Sequence, residues 1–436
     1  MPVDKCLLEE ELVQREEEGC DVHSIRNRIA ATDPGDVDAL ASLFAELEGL
    51  LPDPTLVSEE PSDLPGIRAL RLDGPRVYPV SFPEPVLRDR IAGAWLGRAA
   101  GCLLGKPCEG WHHDRIKAYL QAGNLFPLDD YFPRILPNPP AGLDPQRPAN
   151  WLRGNISGAP RDDDTDYTIL GLHILEENGI AFTTEDVAAQ WLNHLPYWQV
   201  YTAERVAYAN LVNGRQPPAS ATYRNPYREW IGAQIRADTF GYANPGRPEK
   251  AAAMAYRDAA LSHVKNGIYG EMWAAACLAA AFVESDPRAV LEAGLREIPR
   301  RCRLAEALQA TMAWAEQSYD WEQTWARVNN AYGHYHVVHT INNACAVALA
   351  LIHGSGDFER TISIAVMCGW DTDCNGATAG SIIGTMLGAA ALPDKWIAPL
   401  HDSIESSVQG FSHSRISDLA ERTLAQAANV LAEDAD

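Results

Sequence analysis

The chain has 436 residues, 46% of them hydrophobic, and a formal net charge of −23. At about 100–200 residues per domain this fits two or three domains, or one large domain with an extension, and the composition is that of a globular protein with ample core. An acid excess of this size excludes nucleic-acid binding through a basic face and disfavours anionic membrane surfaces.

The acid is concentrated at the N-terminus, where residues 1–60 hold 16 Asp and Glu against 4 Lys and Arg. The first 50 residues predict two polar helices, Leu7–Ala30 and Asp36–Leu50, separated by the turn sequence DPGD. The opening stretch MPVDKCLLEEELVQREEEG lacks the apolar core of a signal peptide. Residues 51–86 are rich in proline and read as a linker or strap, with one strand-like run at Arg76–Ser81. Residues 1–86 are therefore expected to form an acidic helical extension with a Pro-rich linker.

From residue 87 onward, alanine- and leucine-rich segments with helical periodicity follow one another, divided by Pro or Gly, and no series of alternating strands appears. Residues 87–436 predict one large all-α domain. Nine cysteines without a CxxC pair fit reduced thiols in a cytoplasm better than a disulfide framework.

Two segments carry glycine at every fourth position. RIAGAWLGRAAGCLLG places Gly93, Gly97, Gly101 and Gly105 on one helix face, and GWDTDCNGATAGSIIGTMLG does the same with Gly376, Gly380, Gly384 and Gly388. Glycine costs about 1 kcal/mol per helix position relative to Ala, so both stripes predict close backbone contact between helices. Asn375–Leu392 has the length of a short membrane span, but Asn375, Thr378, Ser381 and Thr385 lie within it and aspartates stand at its mouth, which argues against insertion.

Two acidic clusters precede helices. RDDDTDYT supplies Asp162, Asp163, Asp164 and Asp166, and GWDTDCNG supplies Asp371 and Asp373. One Asp would satisfy a helix cap; adjacent carboxylates repel by about 1 kcal/mol in water and about 4 kcal/mol near a protein surface. If the loops face each other they gather about five carboxylates, a group that needs cations. Hard oxygen ligands select Mg²⁺, Mn²⁺ or Ca²⁺, and the number exceeds what one Mg²⁺ normally takes, so a two-metal site is expected. The histidines of GHYHVVH (His334, His336 and His339) lack the companions of a zinc motif and predict packing or substrate contact.

At these residues the sequence resembles the ADP-ribosylglycohydrolase family, the group that includes the glycohydrolase activating dinitrogenase reductase. The resemblance runs from about Arg88 to Ala427, on GAWLGRAAGCLLGKPCEG, DDDTDYT and GWDTDCNGATAGSIIGTMLG in that order. It implies an all-α fold and two Mg²⁺ or Mn²⁺ ions. The matched ligands are Asp163, Asp164, Asp371 and Asp373, with Asp162 standing where Thr is usual. Cys374 stands where Thr or Ser commonly ligates, and Cys102 replaces a common Asp. The Met-Arg stretch that often positions ADP-ribose is not evident near residues 250–263. The implied activity is hydrolysis of a ribosyl N- or O-glycosidic bond in an ADP-ribosylated protein or a ribosylated small molecule. The alternatives are an N-glycosidase of a nucleoside or nucleotide metabolite on the same scaffold, and a non-catalytic binding protein.

In that chemistry Asp164 or Asp163 orients the attacking water or takes its proton, and Glu109, at the end of the first glycine helix, is a second base or a substrate gate. Substrate contact is expected from Trp370 beside Asp371, from Cys374, from Asn155 ahead of the first motif, and from His336. The Gly/Asn-rich stretch ADTFGYANPG, read as a recognition loop, adds Phe240, Gly241 and Asn244.

Overall fold

The computed structural model describes residues 3–134 and 148–433. It is all-α, and two short antiparallel strands, Ile404–Glu405 and His413–Ser414, are the only strands among the described residues. No described helix is long and apolar enough to cross a membrane, and all nine cysteines are free thiols.

The N-terminal segment forms three helices. The predicted Leu7–Ala30 helix is broken into Lys5–Glu17 and His23–Ala31, because Gly19 adopts a left-handed φ of 76° between them. The next helix is Val37–Glu48, N-capped by Asp36. These helices close a small core of their own around Leu8, Ile25, Phe44 and Leu47. The strap contains two short helices, Pro54–Glu59 and Leu64–Ala69. The strand-like run at 76–81 forms no strand; Tyr78 instead donates its N–H to the carbonyl of Gly246.

Ion pairs fasten this layer to the body. Arg228 reaches Glu11 at 2.8 Å and Glu18 at 3.1 Å, and Arg303 joins Glu60 and Glu229, each at 2.8 Å. Gln14 adds a 2.7 Å hydrogen bond to Glu229.

The body is organised around the two glycine helices, Glu84–Gly105 and Thr372–Leu387, which run antiparallel with their backbones in contact. A Cβ on Gly93, Gly97 or Gly101 would collide with the carbonyl of Gly384, Gly380 or Gly376 respectively, and one on Gly105 with that of Thr372. This register brings the C-terminal end of the first helix to the N-terminal end of the second. The helices Lys265–Ala281 and Thr340–Gly354 are almost wholly buried around this pair and complete the core.

Candidate metal centre

The second glycine helix begins at Thr372, three residues earlier than its sequence predicts, so Asp371 is its N-cap and Asp373 lies in its first turn. The helix Asp163–Asn178 has the same design, with Asp162 as N-cap and Asp163 and Asp164 in the first turn. Both helix dipoles thus direct their positive ends at carboxylates. One cavity of about 550 Å³ receives both clusters, lined by Asp162, Asp163, Asp164, Asp371, Asp373 and Cys374, together with Glu109.

The approach to Asp371 is held by left-handed backbone at two consecutive residues, Gly369 (φ 82°) and Trp370 (φ 64°). A Cβ at Gly369 would meet His113 N and Trp111 O at 2.6 Å, so only glycine fits there. Trp370 pairs with the chain after the first glycine helix: its N–H donates to Trp111 O at 2.9 Å, and its carbonyl accepts from Gly110 N at 2.8 Å. That pairing sets Glu109 beside Asp371. Asn343 completes the arrangement, accepting from Asp371 N at 3.1 Å and from Asn375 Nδ2 at 2.8 Å.

Three overlapping groups of donor atoms result, each with its atoms within 4.8 Å of one another: Glu109, Asp371 and Asp373; Asp164, Asp373 and Cys374; Cys102, Asp162 and Asp164. Desolvation and mutual repulsion raise the pKa of several of these acids. Burial pushes Asp164 up to about 8, partly offset by Arg98 and reinforced by Asp373. Desolvation pushes Asp163 up to about 6, with Arg161 pulling back. Asp371 is raised well above the usual range by burial and then by Asp373. Asp373 Oδ1 is buried with no hydrogen-bond partner. A group of repelling acids with an unsatisfied buried carboxylate oxygen could hold a metal cation, which would supply the missing positive charge.

The expected residues divide by position. Cys374 lines the cavity with the aspartates. Trp370 does not; it is 2% exposed and packs towards Trp325, so its ring is part of the core. The stretch 237–246 is not a loop but contains the helix Asp238–Tyr242. Phe240 and Asn244 are fully buried there, with Asn244 donating to Phe240 O at 2.8 Å, and Gly241 packs on Ala275 and Leu278. Asn155 is exposed outside the cavity lining. His336 stacks on Trp230 at 4.1 Å, with its neighbour Val338, not itself, on the cavity wall.

Sequence reasoning missed several lining residues: Lys106, Trp151, Arg161, Tyr201 and Glu204. Lys106 and Arg161 adjoin the recognised motifs, in GKPCEG and RDDD, and that adjacency was the available signal. Glu204 belongs to an unremarkable amphipathic helix, Thr202–Val212, and is held by Arg236 at 2.7 Å. Arg98 lies on the first glycine helix, fully buried. It contacts Asp164 O at 2.6 Å and Asp238 Oδ2 at 2.7 Å, tying three elements together beneath the cavity.

A helical body in which two helix N-termini present carboxylates to one cavity defines a class: all-α proteins with an acidic, cation-type centre. The ADP-ribosylglycohydrolase family profile matches residues 83–433, and the chain belongs to that family, whose activity is that of a glycoside hydrolase. Residues 1–82 lie outside the match. A solved structure described as an ADP-ribosylglycohydrolase-related protein complex is similar over 79% of this chain and 99% of its own, at 21% identity and a TM-score of 0.48. No curated protein matches the chain.

Proposed function

We propose that this protein is a divalent-cation-dependent hydrolase, using Mg²⁺ or Mn²⁺, that cleaves the ribosyl glycosidic bond of an ADP-ribosylated protein or ADP-ribose derivative. The observation that carries the reading is the convergence of Glu109, Asp163, Asp164, Asp371 and Asp373 on one cavity, although the two aspartate clusters lie more than 200 positions apart in the chain.

Glu109, Asp371 and Asp373 are the residues best placed to hold a cation, since their oxygens cluster and Asp373 Oδ1 lacks any other partner. A divalent ion held by these three carboxylates would supply Lewis acidity for orienting a pentose. Asp164 is held by Arg98 and 1% exposed, which suits a positioning role. Asp163 is the more accessible of the two, and its pKa near 6 suits accepting a proton from the attacking water close to neutral pH. Departure of the leaving group builds positive charge on the sugar, which the surrounding carboxylates stabilise. Trp151 and Tyr201 offer aromatic surface on the cavity wall. Residues 1–86 act as an added brace: the Glu229 carbonyl accepts from Thr340 N, and Ile231 N donates to Val338 O, so the docked extension backs the segments that form one wall.

The test follows release of ADP-ribose from arginine- and serine-linked conjugates, and of ribose from nucleosides, with Mg²⁺, Mn²⁺ or chelator. Release of ADP-ribose that stops with chelator supports the proposal. No turnover of any ribosyl conjugate counts against it, and faster cleavage of nucleosides moves the substrate assignment to them.

A further inference from the structure

The cavity floor is not evenly charged, and the asymmetry bears on how many ions it takes, provided that the site is the cation-dependent centre proposed for it. On one side, both oxygens of Asp162 are engaged. Oδ2 pairs with the ammonium of Lys106, and Oδ1 accepts the N–H of Asp164 at 3.1 Å. Asp164 in turn has the Arg98 guanidinium at 3.2 Å from its Oδ1. The third donor on this side, Cys102, is a thiol. The group Cys102, Asp162 and Asp164 therefore already holds two protein cations.

The other side is different. Asp371 and Asp373 form no salt bridge with Lys, Arg or His among the described residues, and Asp373 Oδ1 is buried without a hydrogen-bond partner. Glu109 brings a third carboxylate to them, and the remaining group, Asp164, Asp373 and Cys374, borrows Asp373 from this side and the Arg98-paired Asp164 from the other, so it is not a separate place for an ion.

Lys106 is fixed where it stands. It directly follows Gly105, where an added Cβ would collide with the carbonyl of Thr372 and whose own carbonyl accepts from Thr372 Oγ1 at 2.8 Å, so the helix end cannot shift without the backbones separating. Its side chain is 10% exposed, and its ammonium sits 4.6 Å from the centroid of Trp151. A fixed ammonium repels a divalent ion beside it and already neutralises the carboxylate that ion would need.

We propose that Lys106 is a resident cation standing where a second divalent ion would bind Asp162, and that the cavity takes a single Mg²⁺ or Mn²⁺ at Glu109, Asp371 and Asp373. Where the family resemblance implied an ion pair, this chain has one metal and one ammonium. Lys106 is a positioning residue in this scheme: it holds Asp162, the cap of the helix that carries Asp163.

The test counts ions on the full-length protein after chelator treatment. Mn²⁺ is titrated in, free Mn²⁺ is measured by electron paramagnetic resonance, and the bound spectrum is recorded. The expected result is one tight Mn²⁺ per chain with the spectrum of an isolated ion. Lys106→Gln is expected to bind a second Mn²⁺ and to show the spectrum of a coupled pair, whereas Lys106→Arg retains one. Two ions in the unaltered protein overturn the inference and leave the cation-dependent reading intact. One ion in both the unaltered protein and a folded Lys106→Gln variant also overturns it, since Lys106 would then not be what excludes the second. No bound ion overturns both. If Lys106→Gln fails to fold, Lys106→Met, which keeps the aliphatic stem without the charge, carries the same count with the same two outcomes.

Discussion

Gly101 and Gly376 lie backbone against backbone: a Cβ on either would collide with the carbonyl of the other. The contact is one rung of a ladder whose last rung, Gly105 against Thr372, sets the depth of the cavity floor. Adding even a methyl group forces the two helices apart at main-chain atoms, which have no rotamer to give. Gly101→Ala is therefore expected to cost about 3 kcal/mol or more, read as a shift in the denaturant midpoint. Gly35→Ala, where the nearest atom is an Asp33 oxygen at 3.2 Å, is expected to stay within about 0.5 kcal/mol.

The aspartates of the second motif are placed for binding at the expense of the cation-free fold. Burial and the Asp373 charge hold Asp371 well above the ordinary carboxylate range. Asp371→Asn removes that repulsion while keeping the shape. The cation-free variant is expected to melt higher than the unaltered protein, yet to lose Mn²⁺ binding and at least about 100-fold in kcat/KM. Melting curves with and without Mn²⁺ check both halves. A variant that melts higher and still binds Mn²⁺ normally would remove Asp371 from the centre.

Much of this was legible in the sequence. The fold class followed from helical periodicity, and the four-residue glycine spacing announced the helix pair. The run of aspartates announced a charge problem that a cap alone does not explain. The stretch 237–246 misled because glycine and asparagine usually signal turns. Here Gly241 is small in order to pack on Ala275 and Leu278, and Asn244 satisfies buried main chain, so tertiary packing overrode local preference. Trp370 looked like a stacking surface because it adjoins Asp371. A left-handed backbone rotates its ring into the core, and no sequence pattern reports that rotation. Glu204 reached the cavity through the fold alone, with no motif around it.

Protons compete with cations for the centre. Asp164 at about 8 and Asp163 at about 6 keep protons in the folded state that the unfolded chain releases near pH 4. A raised carboxylic pKa costs stability as pH rises from the unfolded value through the folded one, so the cation-free protein is expected to melt progressively lower between pH 4 and about pH 8. Cation binding displaces those protons. Affinity for Mn²⁺ should therefore rise about tenfold per pH unit up to about pH 8 for each proton released, and more steeply below about pH 6, where Asp163 also titrates. Calorimetry in buffers of different ionisation enthalpy measures the proton count directly. A pH-independent affinity would show that these two acids do not sense the ion.

The extension is held by charges that depend on one another. Arg228→Met removes the buried body cation that joins Glu11 and Glu18, while Arg15 still reaches both and Lys265 still reaches Glu18, so the cost is expected to fall below the ~3–5 kcal/mol of a buried pair broken from one side. Limited proteolysis is expected to release residues 1–50 from this variant faster than from the unaltered protein. The same interface carries Glu17, pushed up to about 8 by burial and then by Glu229. Because its docked pKa is raised, its carboxyl stays neutral in the docked state below about pH 8, while the released chain ionises it near its ordinary value, so docking weakens as pH rises from about 4.5 to about 8 and levels off above that. Proteolytic release of the extension should accelerate between about pH 5 and 8 in the unaltered protein and level off above pH 8, and Glu17→Gln, which stays neutral, should flatten that profile. If the extension also braces the cavity wall at Ile231 and Val338, Arg228→Met raises KM more than it lowers kcat. An unchanged KM in a protein whose extension is demonstrably loosened would confine residues 1–86 to stability alone.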